Sequence, residues 1–171
     1  IEQRVHPCFV KLKSDIAKVS NEINAVVVND SVIGKNIFEG PGAGAGPTGA
    51  SVMSDLMDII RGTYNYPLGV SMKKKKKLKI QKIDDLSFPY YLRITAKDKA
   101  GVMAKISKAL SKRKISIESI IQKPSKRSNF AEIILITHTV KESSLLSSIK
   151  QIKRLPEVSS SVKFIRIEDS L

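Results

Sequence analysis

The stretch YYLRITAKDKAGVMAKISKALSKRKISIESIIQ, residues 90–122, decides the fold of the second half of the chain. Residues 90–97 alternate between apolar and polar side chains, which predicts a strand with one buried face. After a turn at 98–101, apolar side chains recur at helical spacing, at Val102, Met103, Ile106, Ala109 and Leu110. Residues 115–122 are rich in isoleucine and predict a second strand.

The residues after 122 complete the predicted fold of the second half. Residues 130–138 predict a third strand, and Thr139 with Glu142 has the spacing of a capping box that opens a helix. The apolar face of that helix would consist of Leu145, Leu146, Ile149 and Ile152. Pro156 ends the helix, and residues 158–167 form a closing strand. The predicted order β-α-β-β-α-β defines an α+β fold of the ferredoxin-like type.

The second of these strands predicts self-association. Ile115, Ile117, Ile120 and Ile121 would place apolar side chains on both of its faces. Because an edge strand of this kind is normally covered or paired, we expect two copies of the chain to meet there.

The first half of the chain has a different pattern. Residues 4–10 predict a short strand that Pro7 confines to a sheet edge, and residues 14–19 predict a helical turn. Residues 23–29 are apolar and β-branched, which predicts a buried strand. A turn at 31–34 and another strand at 35–39 follow.

A glycine-rich loop leads into a predicted helix in the stretch GPGAGAGPTGASVMSDLMDIIRG, residues 40–62. Thr48 is the expected N-cap of that helix, and Gly62 is the expected glycine just past its end. A loop with so little side-chain bulk, placed at a helix N-terminus, suits close approach of a ligand. The residues alone leave a second interpretation open, a glycine hinge that packs the helix tightly against a sheet.

Composition and charge narrow the function classes. The 171 residues carry a net charge of +14, but half of this positive excess lies in the lysine tract KKKKKLKIQK, residues 73–82. Such a tract is typical of a solvated linker. One cysteine and two histidines argue against a disulfide framework and a histidine metal cluster, and no apolar run is long enough for a membrane span. The absence of tryptophan and the low aromatic content disfavour a base-stacking nucleic-acid platform.

Two motifs resemble one known family. The string FEGPGAGAGPTGASVMSDL, residues 38–56, with RVHP at 4–7 and NEINAVVV at 21–28, resembles the end of the catalytic region of homoserine dehydrogenases. The second half resembles an ACT domain, the amino-acid-sensing module at the C-terminus of bacterial members. The resemblance divides the chain into the end of a catalytic domain (1–66), a lysine-rich linker (67–88) and an ACT regulatory domain (89–171).

The resemblance implies an activity that this chain does not carry alone. Homoserine dehydrogenases reduce L-aspartate 4-semialdehyde to L-homoserine with NAD(P)H, in cytoplasmic biosynthesis of threonine, methionine and isoleucine. Their Rossmann domain, catalytic lysine and metal loop precede the matched region, and Ile1 is consistent with a truncated start. We therefore expect no catalytic residue, no metal site and no activity in this chain alone.

The family's cofactor loop corresponds to Gly42, Ala43 and Gly44, and Gly44 would contact NAD or NADP through its backbone. The resemblance also places an amino-acid effector, threonine most of all, at the turn between the first strand and first helix of the ACT domain, at a dimer interface. The corresponding residues are Asp98, Ala100, Gly101 and Val102, with Ser116 on the second strand facing the same site.

Two other functions stay open at this point. The chain could be a stand-alone amino-acid-sensing ACT module without catalysis, or an RNA-binding domain, since that class shares the strand order. Cys8, His6 and His138 are interpreted as structural side chains rather than as a nucleophile or ligands.

Overall fold

The structure is a computed structural model that describes residues 1–63, 78–124 and 129–169, with the side chain of Ser160 excepted. The chain divides into two compact units. Among the described residues, the first unit joins residues 1–9 to residues 79–124 and 129–169, and the second holds residues 10–63 and 78. Much of the lysine tract, residues 73–77, lies outside the described residues.

The described secondary structure consists of short strands, three α-helices and two 3₁₀ turns at Asp15–Lys18 and Ile83–Asp85. The helices are α1 (Ala45–Ile60), α2 (Val102–Ser111) and α3 (Glu142–Ile152). The strands are β1 (Cys8–Val10), β2 (Ile23–Asp30), β3 (Gly34–Pro41), β4 (Ser87–Phe88), β5 (Tyr90–Lys97), β6 (Ile117–Pro124), β7 (Phe130–Thr137), β8 (Val140–Lys141) and β9 (Val158–Glu168).

The first unit has the predicted ferredoxin-like plan. The order β5-α2-β6-β7-α3-β9 along the chain confirms the β-α-β-β-α-β prediction, with the short strand β8 added before α3. Five of the strands form one sheet in the order β1-β9-β5-β7-β6, and β4 pairs with β8 in a separate two-stranded sheet. The predicted strand at 4–10 is shorter than expected, because β1 begins only after Pro7, but it does lie at the sheet edge.

The core of this unit lies between the sheet and its two helices. The alternation of β5 is seen directly, since Tyr90, Leu92, Ile94 and Ala96 are all buried. The helices contribute Val102, Ile106, Ala109, Leu110, Leu145, Ile149 and Ile152 to the same cluster. A side chain of this size contributes about 1.5–3 kcal/mol when it is fully buried, so the cluster dominates the stability of the unit.

The predicted capping box is wrong. α3 begins at Glu142 after Lys141, with no side-chain hydrogen bond at the cap. The Glu142 backbone N–H instead donates to the Leu86 carbonyl at 2.9 Å, and its carboxylate accepts hydrogen bonds from Arg4 and Tyr90. The backbone N–H and the carboxylate of Glu142 are therefore hydrogen-bonded to residues distant in sequence and not to a capping side chain.

The second unit contains a β-hairpin. β2 and β3 pair antiparallel from Ile23 opposite Pro41 to Asp30 opposite Gly34, and Asp30 Oδ1 accepts the backbone N–H groups of Val32 and Ile33 in the turn. The prediction of a buried strand is wrong, since Val26 is 60% exposed and Val28 41% exposed. Among the described residues of this unit, β3 is the only strand that pairs with β2, and the apolar face of β2 stays largely uncovered.

Helix α1 begins earlier than predicted. Its N-cap is Gly44 and its first residue is Ala45, so Thr48 lies inside the first turn and the predicted cap is wrong. Pro47 is tolerated there because the first helical turn does not need its N–H group. At the other end, Gly62 has φ +69°, its N–H donates to the Ile59 carbonyl and that of Thr63 donates to the Asp58 carbonyl. This Schellman arrangement confirms the predicted terminal glycine.

Candidate functional site

The predicted effector turn follows β5 and leads into α2. The Asp98 backbone N–H donates to the Asn129 carbonyl at 3.0 Å, and the Lys99 N–H donates to the Lys97 carbonyl at 3.0 Å. Gly101 has φ +85°, a left-handed conformation that side-chain-bearing residues rarely adopt, and it is the N-cap of α2. The turn therefore depends on a glycine at this position.

The residues at the start of α2 differ in exposure. Ala100 and Gly101 are exposed, whereas the Val102 side chain is buried in the core. The Lys105 N–H donates to the Gly101 carbonyl at 3.1 Å, which closes the first helical turn. The N–H groups of that turn point out of the helix end, where its dipole is positive, so an anionic group is favoured there.

Gln122, on the strand β6, contacts this turn and was not identified from the sequence. Its side-chain Nε2 donates to Asp98 Oδ1 at 3.1 Å. This hydrogen bond orients the Asp98 carboxylate, while both side chains remain exposed to solvent. The contact joins residues 24 positions apart, so only the strand order of the predicted fold could have suggested it.

Within one chain, Ser116 does not face this turn. It precedes β6, whose first residue, Ile117, pairs with Thr137, while Lys97 at the Asp98 end of β5 pairs with Phe130. Thr137 and Phe130 are the two ends of β7, so Ser116 lies at the opposite end of the sheet from Asp98. A site containing both residues requires Ser116 from a second copy.

The predicted cofactor loop lies between β3 and α1. The Gly42 N–H donates to the Glu22 carbonyl at 2.7 Å, and a Cβ added to Gly42 would lie 2.0 Å from Asn24 Nδ2. Gly44 has φ +115° and ψ 146°, a combination that only glycine adopts without strain. Gly42, Ala43 and Gly44 are all exposed, so their backbone is open to approach.

The backbone of this loop leaves room for an anionic group to approach closely. Its side chains are no larger than a methyl group, and it ends at the N-terminus of the 16-residue helix α1. Backbone N–H groups and a positive dipole end together favour an anion. Among the described residues, no group of three or more His, Cys, Asp and Glu side chains could hold a metal ion. In the same part of the chain, no helix is long and apolar enough to span a membrane.

A second group of polar residues, which the sequence did not identify, lies at the other end of the sheet. We call Glu2, Arg4, Glu142, Arg166 and Glu168 the polar cluster. Arg4 Nη2 donates to Glu142 Oε2 at 2.6 Å, Arg166 Nη1 donates to Glu2 Oε1 at 2.6 Å, and Arg166 Nη2 donates to Glu168. The cluster ties residues 1–4 to the start of α3 and the end of β9.

Phe88 and Tyr90 are aromatic residues that contact the polar cluster. The Arg166 guanidinium carbon lies 3.3 Å from the centre of the Phe88 ring, a cation–π contact. The Tyr90 hydroxyl donates to Glu142 Oε2 at 3.0 Å. Burial, together with the negative charge of Glu142, raises the pKa of Tyr90 to about 12.

Two family models match the chain. The homoserine dehydrogenase model matches residues 1–57, and the ACT domain model matches residues 90–157. The two matches have the same order as the two resemblances that the motifs indicate.

Curated relatives match almost the whole chain. The homoserine dehydrogenase of Helicobacter pylori is 35% identical over 99% of the chain, and that of Pseudomonas aeruginosa is 37% identical over 98%. The solved structure of a homoserine dehydrogenase from Thiobacillus denitrificans superposes with a TM-score of 0.85 at 32% identity, covering 98% of this chain and 39% of that one. The chain spans about 40% of the length of the curated relatives.

Proposed function

We propose that this chain, which corresponds over nearly its whole length to part of homoserine dehydrogenases and carries an ACT domain, serves the reduction of L-aspartate 4-semialdehyde to L-homoserine with NADH or NADPH. The observation that carries the proposal is the continuous similarity, in sequence and in fold, across both units. The reaction belongs to cytoplasmic biosynthesis of threonine, methionine and isoleucine.

In this proposal the loop Gly42–Gly44 contacts the nicotinamide cofactor. The exposed backbone, the small side chains and the helix N-terminus that follows support this role. The cofactor would supply the hydride. The loop would position it through the Gly44 backbone, and any side chain at Gly44 would oppose the required conformation. We expect the 171-residue chain alone to be inactive, because the nucleotide-binding domain and the catalytic lysine would come from the rest of the enzyme.

The ACT unit, which is the first of the two units, would bind the end product threonine and would use it for feedback inhibition. Two groups at the turn suit the two charges of an amino acid. The Asp98 carboxylate, oriented by Gln122, can accept hydrogen bonds from the ammonium group, and the N-terminus of α2 after Gly101 favours the carboxylate.

A second copy of the chain would complete the effector site. β6 is an edge strand of the sheet, and its Ile120 and Ile121 are about half exposed. Pairing through this edge would cover both side chains and would bring residues of a second copy to the sheet, Ser116 among them.

An activity assay tests the catalytic part of the proposal. A protein that includes this chain together with its upstream catalytic part should oxidise NADPH when aspartate semialdehyde is added, and threonine should inhibit it. Asp98→Asn should weaken the inhibition and leave the uninhibited rate unchanged, whereas Asp84→Asn, an exposed aspartate outside the turn, should change neither. Absence of dehydrogenase activity in that protein, with threonine binding intact, would instead favour a stand-alone sensing module.

A further inference from the structure

The outer surface of the two ACT-unit helices concentrates positive charge. α2 and α3 lie on the same side of the sheet, since both contribute buried side chains to the core cluster that contains the buried face of β5. Apart from Glu142, which belongs to the polar cluster, neither helix contains an acidic residue. We call the exposed cations of these helices and of the residues just after them the basic face; they are Lys105, Lys108, Lys112, Lys150, Lys153 and Arg154.

The charge of the basic face is largely uncompensated. Lys105 Nζ donates to the carboxylate of Glu157, which is the ion pair that this face forms. Within residues 1–63, 78–124 and 129–169, no carboxylate forms an ion pair with the other five cations. Six cations and one carboxylate leave the face strongly positive.

A groove of about 260 Å³ lies between α2 and α3 in this face. Lys105, Lys108 and Lys112 line it from α2, and their i, i+3 and i+7 spacing places them on one side of the helix. Gln151 and Leu155 line it from the other helix and the residues after it. α2 has 10 residues and is therefore about 15 Å long, a length over which duplex DNA carries about nine phosphate charges.

The composition of the basic face favours phosphate over other anionic partners. None of the exposed large apolar side chains of the described residues belongs to α2 or α3. The core of a protein–protein interface is depleted of charged residues, and a helix that binds a membrane surface buries an apolar face. Aromatic side chains are also absent from both helices, so they offer no platform for stacking bases. Contact with the phosphate backbone of a duplex requires neither feature.

We propose that the basic face binds the phosphate backbone of double-stranded nucleic acid without reading its base sequence. The ammonium groups of the lysines pair with phosphate oxygens along the groove, and release of counterions from the duplex drives binding. The proposal is independent of dehydrogenase activity and of threonine binding, because it uses neither the Asp98 turn nor the loop Gly42–Gly44.

The test is the fluorescence anisotropy of a labelled DNA duplex of about 20 base pairs in about 50 mM salt. Because the lysine tract is a second source of positive charge, the lysines at 73–77 are replaced by glutamine in the proteins compared. Lys108→Glu combined with Lys112→Glu should weaken binding at least tenfold. It should also reduce the slope of log binding constant against log salt by about 2 in magnitude, since each lost phosphate contact removes about 0.9.

The matched control is Arg93→Glu combined with Lys163→Glu, which changes the net charge equally. These residues pair across β5 and β9, and both are exposed on the sheet surface opposite the helices. The control should weaken binding less than about threefold, because salt screens charges on the far side of the sheet. Equal losses in the two double variants would overturn the proposal.

A second measurement on the unaltered chain does not depend on how any variant folds. The duplex should shift the NMR amide signals of residues 105–112 and 150–154, and duplexes of unrelated sequence should bind equally well. Absence of duplex binding, shifts confined to residues 73–82, or binding that requires one base sequence would overturn the proposal. Binding to anionic phospholipid vesicles without binding to the duplex would also overturn it and would assign the basic face to a membrane surface.

Discussion

At the scale of single residues, Tyr90 links the core of the ACT unit to the polar cluster. Its ring is buried, and its hydroxyl donates to Glu142, which also accepts from Arg4. The environment favours the neutral phenol, so the folded protein holds this proton more tightly than the unfolded chain does, whose tyrosine pKa is near 10.

The pH dependence of Tyr90 has a definite sign. Because its folded pKa is raised to about 12, the stabilisation that it provides is complete below about pH 10 and is lost as the pH rises toward 12. Tyr90→Phe should cost roughly 1–2 kcal/mol near neutral pH through the lost hydrogen bond. The free energy of unfolding in urea, measured for both proteins at about pH 8 and pH 11, should show this difference shrinking at the higher pH. The neighbouring variant Tyr91→Phe is the control, and a difference independent of pH would contradict the assignment.

At the scale of elements, most strands and one helix C-terminus were predictable, and the helix N-caps were not. The alternation in β5 and the helical spacing in α2 follow from burial on one side, which a single sequence records directly. Thr48 and Thr139 were reasonable N-caps by residue type, but the backbone turn and tertiary partners determine that the helices begin at Ala45 and at Glu142. The position of Ser116 depended on register, which residue type does not record.

Two glycines of the same segment should respond oppositely to substitution. Gly44→Ala should destabilise the second unit by about 1–3 kcal/mol, because φ +115° is strained for any side-chain-bearing residue. Gly49→Ala should stabilise α1 by up to about 1 kcal/mol, because an added Cβ meets nothing within 4 Å and alanine favours the helix. Amide exchange of residues 45–60 measures both effects. Equal effects of the two variants would mean that the φ angle at Gly44 is not a constraint.

At the scale of the whole molecule, exposed apolar surface indicates association. β6 ends the five-stranded sheet, and Ile121 is 49% exposed on it. The isoleucines of this strand, the second of the predicted ferredoxin-like fold, had led to the prediction of self-association. The strand at 23–29 was predicted to be buried but has an uncovered face in the β2–β3 hairpin, since an apolar run shows that a surface prefers burial without showing what buries it.

Charge at this edge should weaken self-association. Ile121→Lys should raise the dimer dissociation constant measured by sedimentation equilibrium at least tenfold. The reason is that a charged lysine on an edge strand opposes pairing with a second strand. Ile33→Lys, at an exposed position in the hairpin turn, is the matched control. If both variants associate as the unaltered chain does, β6 is not the interface.

The most direct test of the central claim, that the ACT unit is an amino-acid sensor built around the Asp98 turn, is calorimetric titration of the 171-residue chain with L-threonine. We predict saturable binding that Asp98→Asn weakens roughly tenfold or more, through loss of the charge that pairs with the ammonium group, and that Asp84→Asn leaves unchanged. Absence of threonine binding, or binding that Asp98→Asn does not alter, would contradict the account.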